Sequence, residues 1–295
     1  MSDLLTNAFS VLSLASVFIL TALGLHFTFG LLGLVNLAHG EFLLVGAYIA
    51  YAIQQTTGST VAGVMLAPLG AAALGLVMER SLLRIFYDRP LDSLLVTFGL
   101  SVIMRQGVQL IYSAVPRQVR DPLRGSLTLL DVNIPKWRLL IVVVDVLLIT
   151  GIFVLLSRTT FGLRARACVR NPELAETMGI DVSWVRAFLF AIGSGLAGLA
   201  GGLLAPISTL DPQFGLLLLV NAFLVVILGG VGSLPGLVIG GLMLGGSLAL
   251  LQFFIPTVLA QILVLVLAVL GVRVRPFLIE RRGERAHPTS STAVT

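Results

Sequence analysis

"GLLGLVNLAHGEFLLVGAY", residues 30–48, decides how this chain is built. Inside an otherwise apolar run it places Asn36, His39 and Glu41, fenced by Gly30, Gly33, Gly40 and Gly46. A continuous helix in hydrocarbon tolerates an amide, an imidazole and a carboxylate poorly. Glycines permit a break, and a broken helix frees backbone groups that side chains satisfy or that line a path. The stretch therefore reads as a helix broken near 30–46. His39 would cap one half-helix and Glu41 would open the next, where the helix dipole favours negative charge. The three polar residues either hold the break together or shape a route through it, and the two roles are compatible.

The sequence on either side says what surrounds that break. Of 295 residues, 57% are hydrophobic and only 11% charged, and the mean hydropathy is +1.03. Soluble domains carry about 25% charged residues, so lipid is the main solvent here. Apolar runs recur near 9–29, 42–53, 59–78, 94–113, 138–156, 185–205, 216–232, 236–254 and 256–272. Their length suits membrane-crossing helices, and they lack the alternation of a barrel. The expectation is an all-α, polytopic integral membrane helical bundle of about eight or nine spans. Residues 1–277 would form a single transmembrane domain, and 278–295, ending "GERAHPTSSTAVT", a disordered cytoplasmic tail. No soluble domain fits between the runs, and no removable signal peptide is expected. Cys168 is the one cysteine, which excludes an internal disulfide and a cysteine-cluster metal site.

The net charge of +5 comes almost wholly from arginine. Clusters at Arg80, Arg84 and Arg89, at Arg158, Arg164, Arg166 and Arg170, and at Arg273, Arg275, Arg281, Arg282 and Arg285 fit the positive-inside rule rather than nucleic-acid binding. An even number of runs separates each cluster from the next, so all three can face the cytoplasm. The same parity puts 114–137 outside, against its own Arg117, Arg120 and Arg124. Ser194, Gly198 and Gly202, and likewise Gly232, Gly236 and Gly240, recur at four-residue spacing, which lets helices approach closely in lipid.

Further polar residues lie within the runs. Thr97, Ser101, Arg105 and Gln109 share one helix face. Arg105 needs a buried partner, and Asp145 is the expected one, as an intramembrane ion pair. Asn221 sits in "LLLLVNAFLVVILGG", as helix glue or as a solute contact. Asn36, His39, Glu41, Thr97, Ser101 and Asn221 are the candidates for a substrate pathway, and no metal site is expected. No HExxH, GxSxG or phosphate-binding loop is present, and the single lysine, Lys136, follows "VNIP", so nothing supports an enzyme.

The loop at 158–184 carries a different signal. Asn171, Pro172 and Glu173 read as N-cap, first position and first turn of a short helix over 172–178 that Gly179 stops. Leu174, Ala175 and Met178 would form one apolar face, suited to a partner's groove.

"GLVNLAHGEFLLVGAY", "LRARACVRNPELAETMGI", "GSGLAGLAG" and "VVILGGVGSLPG", in that order, resemble the membrane permeases of branched-chain amino acid and urea ABC importers, over roughly residues 5 to 277. The resemblance implies a multi-pass bacterial inner-membrane subunit without catalytic residues or cofactors of its own. It implies a second homologous permease subunit, two ATP-binding subunits that hold ATP and magnesium, and a periplasmic solute-binding protein. Arg164, Asn171, Glu173, Ala175, Gly179 and Ile180 match the loop that couples to the ATPase. "DRPLDSLLVTFGLS" and "FAIGSGLAGLAGG" look closer to the urea type. The expected cargo is therefore urea or a short amide, closely followed by branched-chain amino acids. The alternative is a stand-alone channel or secondary transporter for a small polar solute.

Overall fold

In the computed structural model, residues 2–87, 89–129 and 132–284 are described. Helix α1 (Ser2–Leu25) passes into a π-helical turn at His26–Leu31, and the chain then leaves helical geometry until α2 (His39–Thr57). Gly33 takes φ +69°, a conformation that other residues adopt at a cost. The Asn36 side-chain oxygen accepts from Ala38 N at 3.0 Å, and Glu41 N donates to the Ala38 carbonyl at 3.0 Å. The break expected near 30–46 is confined to 32–38, its N-terminal half, and 39–46 belong to α2.

Next come α3 (Thr60–Ser81) and α4 (Pro90–Tyr112), a two-stranded antiparallel hairpin of β1 (Ser126–Leu129) and β2 (Val132–Pro135), and α5 (Lys136–Arg158). The hairpin is a small exception to the all-α expectation. Helices α6 (Thr160–Arg170) and α7 (Pro172–Thr177) lead into α8 (Val182–Leu204), α9 (Phe214–Gly229), α10 (Leu234–Leu251) and α11 (Thr257–Glu284). Among the described residues, six helices are long and apolar enough to cross a bilayer, and Phe214–Gly229 and Thr257–Leu270 are shorter apolar helices. The protein is a polytopic helical membrane protein. Helix α11 runs on to Glu284, into the stretch 278–295 expected as a tail. Residues 285–295 of the expected tail lie outside the described residues.

The packing repeats itself. Helix α1 lies on α10 and α9 as α8 lies on α3 and α2, and α2 packs on α3 and α4 as α9 packs on α10 and α11. Helices α3 and α10 start alike, with Ser59 (φ −105°, ψ 109°) and Ser233 (φ −106°, ψ 109°) accepting from Ala62 N and Gly236 N. Each serine follows a left-handed glycine, Gly58 at φ +75° and Gly232 at φ +80°. Helices α1–α4 and α8–α11 thus form two units of like packing, joined through the hairpin and α5–α7. They meet through paired glycines: a side chain on Gly24 would strike the Gly193 carbonyl, one on Gly193 the Gly24 carbonyl, and Gly40 and Gly215 exclude each other likewise. Such backbone-to-backbone contact is how helices associate without a hydrophobic driving force between them.

Side contacts fix which ends share a side of the membrane. The Arg80 guanidinium lies 3.7 Å above the Trp184 ring, so the first arginine cluster joins the start of α8. At the other end, Arg117 and Leu210 exchange backbone hydrogen bonds at 2.8 and 2.9 Å, and the Thr60 hydroxyl donates to the Arg120 carbonyl at 2.9 Å. The turns 58–59 and 205–213 therefore share a face with the hairpin loop, opposite the arginine clusters. Leu31 and Leu32, just past α1, line a cleft with Cys168 and Arg186, so α1 runs toward the end that holds Arg80 and α8 away from it, and the two units are inverted relative to each other.

Candidate functional site

The break leads directly into a buried polar seam between α2 and α4. Its centre is Glu41, in the first turn of α2 and 1% exposed. Arg105 on α4 donates to Glu41 Oε1 from Nη2 at 2.6 Å and from Nε at 3.2 Å, and the Ser101 hydroxyl donates to the same oxygen at 2.9 Å. Arg105 Nη2 also meets Ser101 Oγ at 3.1 Å, and Nη1 faces Gln213 Oε1 at 3.4 Å. One turn lower, Thr97 on α4 accepts from Leu37 N at 3.2 Å and lies 3.4 Å from the Val35 carbonyl oxygen. Helix α4 thus grips the break with a hydroxyl and the start of α2 with a guanidinium.

The expected Arg105–Asp145 ion pair is not formed; the partner of Arg105 is Glu41. The reason is placement, since α4 packs on α2 while α5, which carries Asp145, packs on α1. Asp145 lies beside Ser16 of α1, and its Oδ1 is buried without a hydrogen-bond partner. His39 points away from the seam, with Nε2 3.1 Å from the Thr21 carbonyl oxygen of α1. Asn36 is fully buried and turns its oxygen back onto the break, leaving Nδ2 without a partner. Asn221 is half-buried on α9 and has no hydrogen bond to the seam.

The structure therefore gathers Asn36, Glu41, Thr97 and Ser101, and leaves His39 and Asn221 aside. It adds Arg105 as the seam's cation and Gln213, which the sequence reading passed over. The signal for Gln213 was "TLDPQFG": Asp211 Oδ1 accepts from Gln213 N at 2.7 Å, an Asx turn that aims the next side chains at the start of α9.

At the end of the bundle that holds Arg80 and the start of α8, α6 and α7 form a platform outside the six long apolar helices. Asn171 Oδ1 accepts from Leu174 N at 3.0 Å, which caps α7. Gly179 at φ +80° ends it, with Gly179 N donating to Glu176 O at 2.9 Å and Ile180 N to Ala175 O at 3.0 Å. The single apolar face expected over Leu174, Ala175 and Met178 is divided. Ala175 is 2% exposed and faces the bundle, whereas Leu174 at 58% and Met178 at 72% face outward, because 100° per residue swings neighbours i and i+1 apart. Arg164, Glu173 and Gly179 are exposed and Ile180 is half-buried. Cys168 and Pro172 of this platform share a cleft of about 50 Å³ with Leu31, the last helical residue before the break, and Leu32, the first beyond it. Burial pushes the Cys168 thiol above its ordinary range.

A bundle of inverted units, broken at membrane depth and seated on a cytoplasmic platform, defines a membrane permease component. The family model "Branched-chain amino acid transport system / permease component" matches residues 7–272, and the chain belongs to that family. It is similar to "High-affinity branched-chain amino acid transport system permease protein BraD" of Pseudomonas aeruginosa, at 31% identity over 79% of this chain and 81% of that protein. The corresponding permease protein LivH of Salmonella typhimurium is 28% identical over 92% of this chain and 94% of its own. A "Probable branched-chain amino acid transport permease protein LivH" of Methanocaldococcus jannaschii is 30% identical over 82% of this chain and 79% of its own. No solved structure matches the chain.

Proposed function

We propose that this chain is the inner-membrane permease subunit of an ATP-driven importer for branched-chain amino acids. The chain itself is no enzyme and carries no nucleotide; ATP and magnesium belong to separate ATP-binding subunits that dock on α6 and α7. A solute-binding protein delivers the cargo to the opposite face, and a second, homologous permease completes the pathway. The seam of Glu41, Arg105, Ser101 and Gln213 lies on that route, with Thr97 and Asn36 holding the break beside it.

The observation that carries the reading is the platform. Leu174 and Met178 stand exposed on a helix too short to be stable alone, yet capped at both ends by Asn171 and Gly179. An apolar pair presented outside the membrane fits a partner's groove. Pro172 of that helix lines one cleft with Leu31 and Leu32, so movement of the helix would be felt beside the break. A channel or secondary transporter has no use for such a platform.

The cargo assignment draws on the relatives, whose printed names are branched-chain amino acid permeases; none among them is a urea or amide permease. Urea or a short amide, favoured by the sequence alone, is the outcome that would displace it. The deciding experiment reconstitutes the permease with its ATP-binding subunits and solute-binding protein in vesicles. ATP-dependent uptake of leucine, lost when Glu173→Arg prevents co-purification of the ATP-binding subunits, is the expected result. Uptake by the permease alone, or uptake of urea in place of leucine, overturns it.

A further inference from the structure

We propose that Arg105 is the group in this pathway that meets the carboxylate of the passing solute, and that Glu41 positions it. The inference rests on the importer reading above and sharpens its substrate class. A guanidinium carries five N–H donors in a rigid fork. Nε and Nη2 are held by Glu41 Oε1 and Ser101, whereas Nη1 has only the Gln213 side-chain oxygen at 3.4 Å, outside a good hydrogen bond. One edge of the fork is fixed and the other is spare.

The arginine is also partly open. Arg105 keeps 18% of its side chain exposed, against 1% for Glu41. A charged group exposed to hydrocarbon in mid-span is costly, so an arginine left partly open there faces a wetted route or protein. Gln213, exposed at the start of α9, is the amide that faces it. Arg105 Nη1, held only by that long contact to Gln213, offers a charged donor that suits a carboxylate oxygen. A neutral solute such as urea gains no charge-assisted bond from that arrangement.

Glu41 acts through Arg105. Its grip on Nε and Nη2 fixes the plane of the guanidinium and sends Nη1 outward. A merely structural ion pair would affect every solute alike, whereas carboxylate recognition changes the ratio between solutes that differ only there.

The test uses the purified complex of permease and ATP-binding subunits, and measures binding of L-leucine and of L-leucinol, which keeps the side chain and the ammonium but lacks the carboxylate. Leucine should bind better to the unmodified complex. Arg105→Gln should cut leucine binding by about tenfold or more, the scale of one charge-assisted hydrogen bond, and leave leucinol unchanged. The double variant Glu41→Gln with Arg105→Gln leaves no lone buried charge, so it should fold and show the same loss of preference. Glu41→Gln alone should lower the leucine-to-leucinol ratio, and Glu41→Asp should restore part of it. An equal or absent preference in the unmodified complex overturns the proposal, as does a preference that survives both Arg105 variants. Co-purification of the ATP-binding subunits, scored on the same preparations, reports separately on the importer reading.

Discussion

Removing the two partners of the Glu41–Arg105 pair should have unequal consequences. Arg105→Gln strands a carboxylate that is 1% exposed and whose Oε2 already lacks a partner, leaving it the Ser101 hydroxyl alone. Breaking a buried pair from that side costs about 3–5 kcal/mol, and the 18% exposure of Arg105 argues for the lower end, about 3 kcal/mol. Glu41→Gln strands the partly exposed arginine instead. It keeps a carbonyl acceptor for Nη2 and Ser101, and loses only the charge assistance, about 1–2 kcal/mol. The double glutamine variant has no lone charge and should cost about 1 kcal/mol, which makes the coupling between the sites about 3–4 kcal/mol. Unfolding of the detergent-solubilised permease by sodium dodecyl sulfate, followed by tryptophan fluorescence, measures all three. Equal losses from the two single variants, or a double variant worse than their sum, would refute the geometry.

Other outcomes can be read on the same material. Asp145→Asn should leave stability unchanged or raise it by about 1 kcal/mol, since its Oδ1 is buried without a partner; a marked loss would restore the ion pair expected from sequence. Gly201→Ala places a methyl on the Leu43 carbonyl and should cost about 1–3 kcal/mol, whereas Gly107→Ala meets open space and should gain up to about 1 kcal/mol, both by thermal aggregation midpoint. Thr97→Val leaves Leu37 N without its acceptor and should cost about 1–3 kcal/mol while slowing ATP-driven uptake. Asn171→Ala should weaken α7 by about 1 kcal/mol and lower co-purification of the ATP-binding subunits without changing membrane insertion. Cys168, buried and with its thiol pushed above the ordinary range, should react with maleimide slowly at neutral pH and faster as pH rises.

Gly40 marks where local reading stops. From sequence it is a break-permitting glycine, and a bulkier residue there would be expected to block transport while sparing assembly. In the fold a side chain on Gly40 runs into the Gly215 carbonyl, at the contact between the two inverted units. Substitution with leucine should therefore reduce folded protein first. Sequence inspection cannot see this, because the clash depends on a helix that begins far along the chain.

The sequence by itself determined what depends on composition and short spacing. Long apolar runs and arginine clusters set the helical membrane class and its orientation, because the bilayer imposes the same length and charge rules on every span. The break after Leu31 and the capped helix at Asn171 were also legible, since Gly, Asn and Pro act on backbone within a few residues. The tertiary structure alone decided partners. From sequence the expected partner of Arg105 was Asp145, and the pairing fell to Glu41 because α4 packs on α2 while α5 packs on α1. Gln213 entered the seam and Asn221 stayed out for the same reason: a side chain's chemistry is written locally, but the group it faces is set by the packing of backbones distant in the chain.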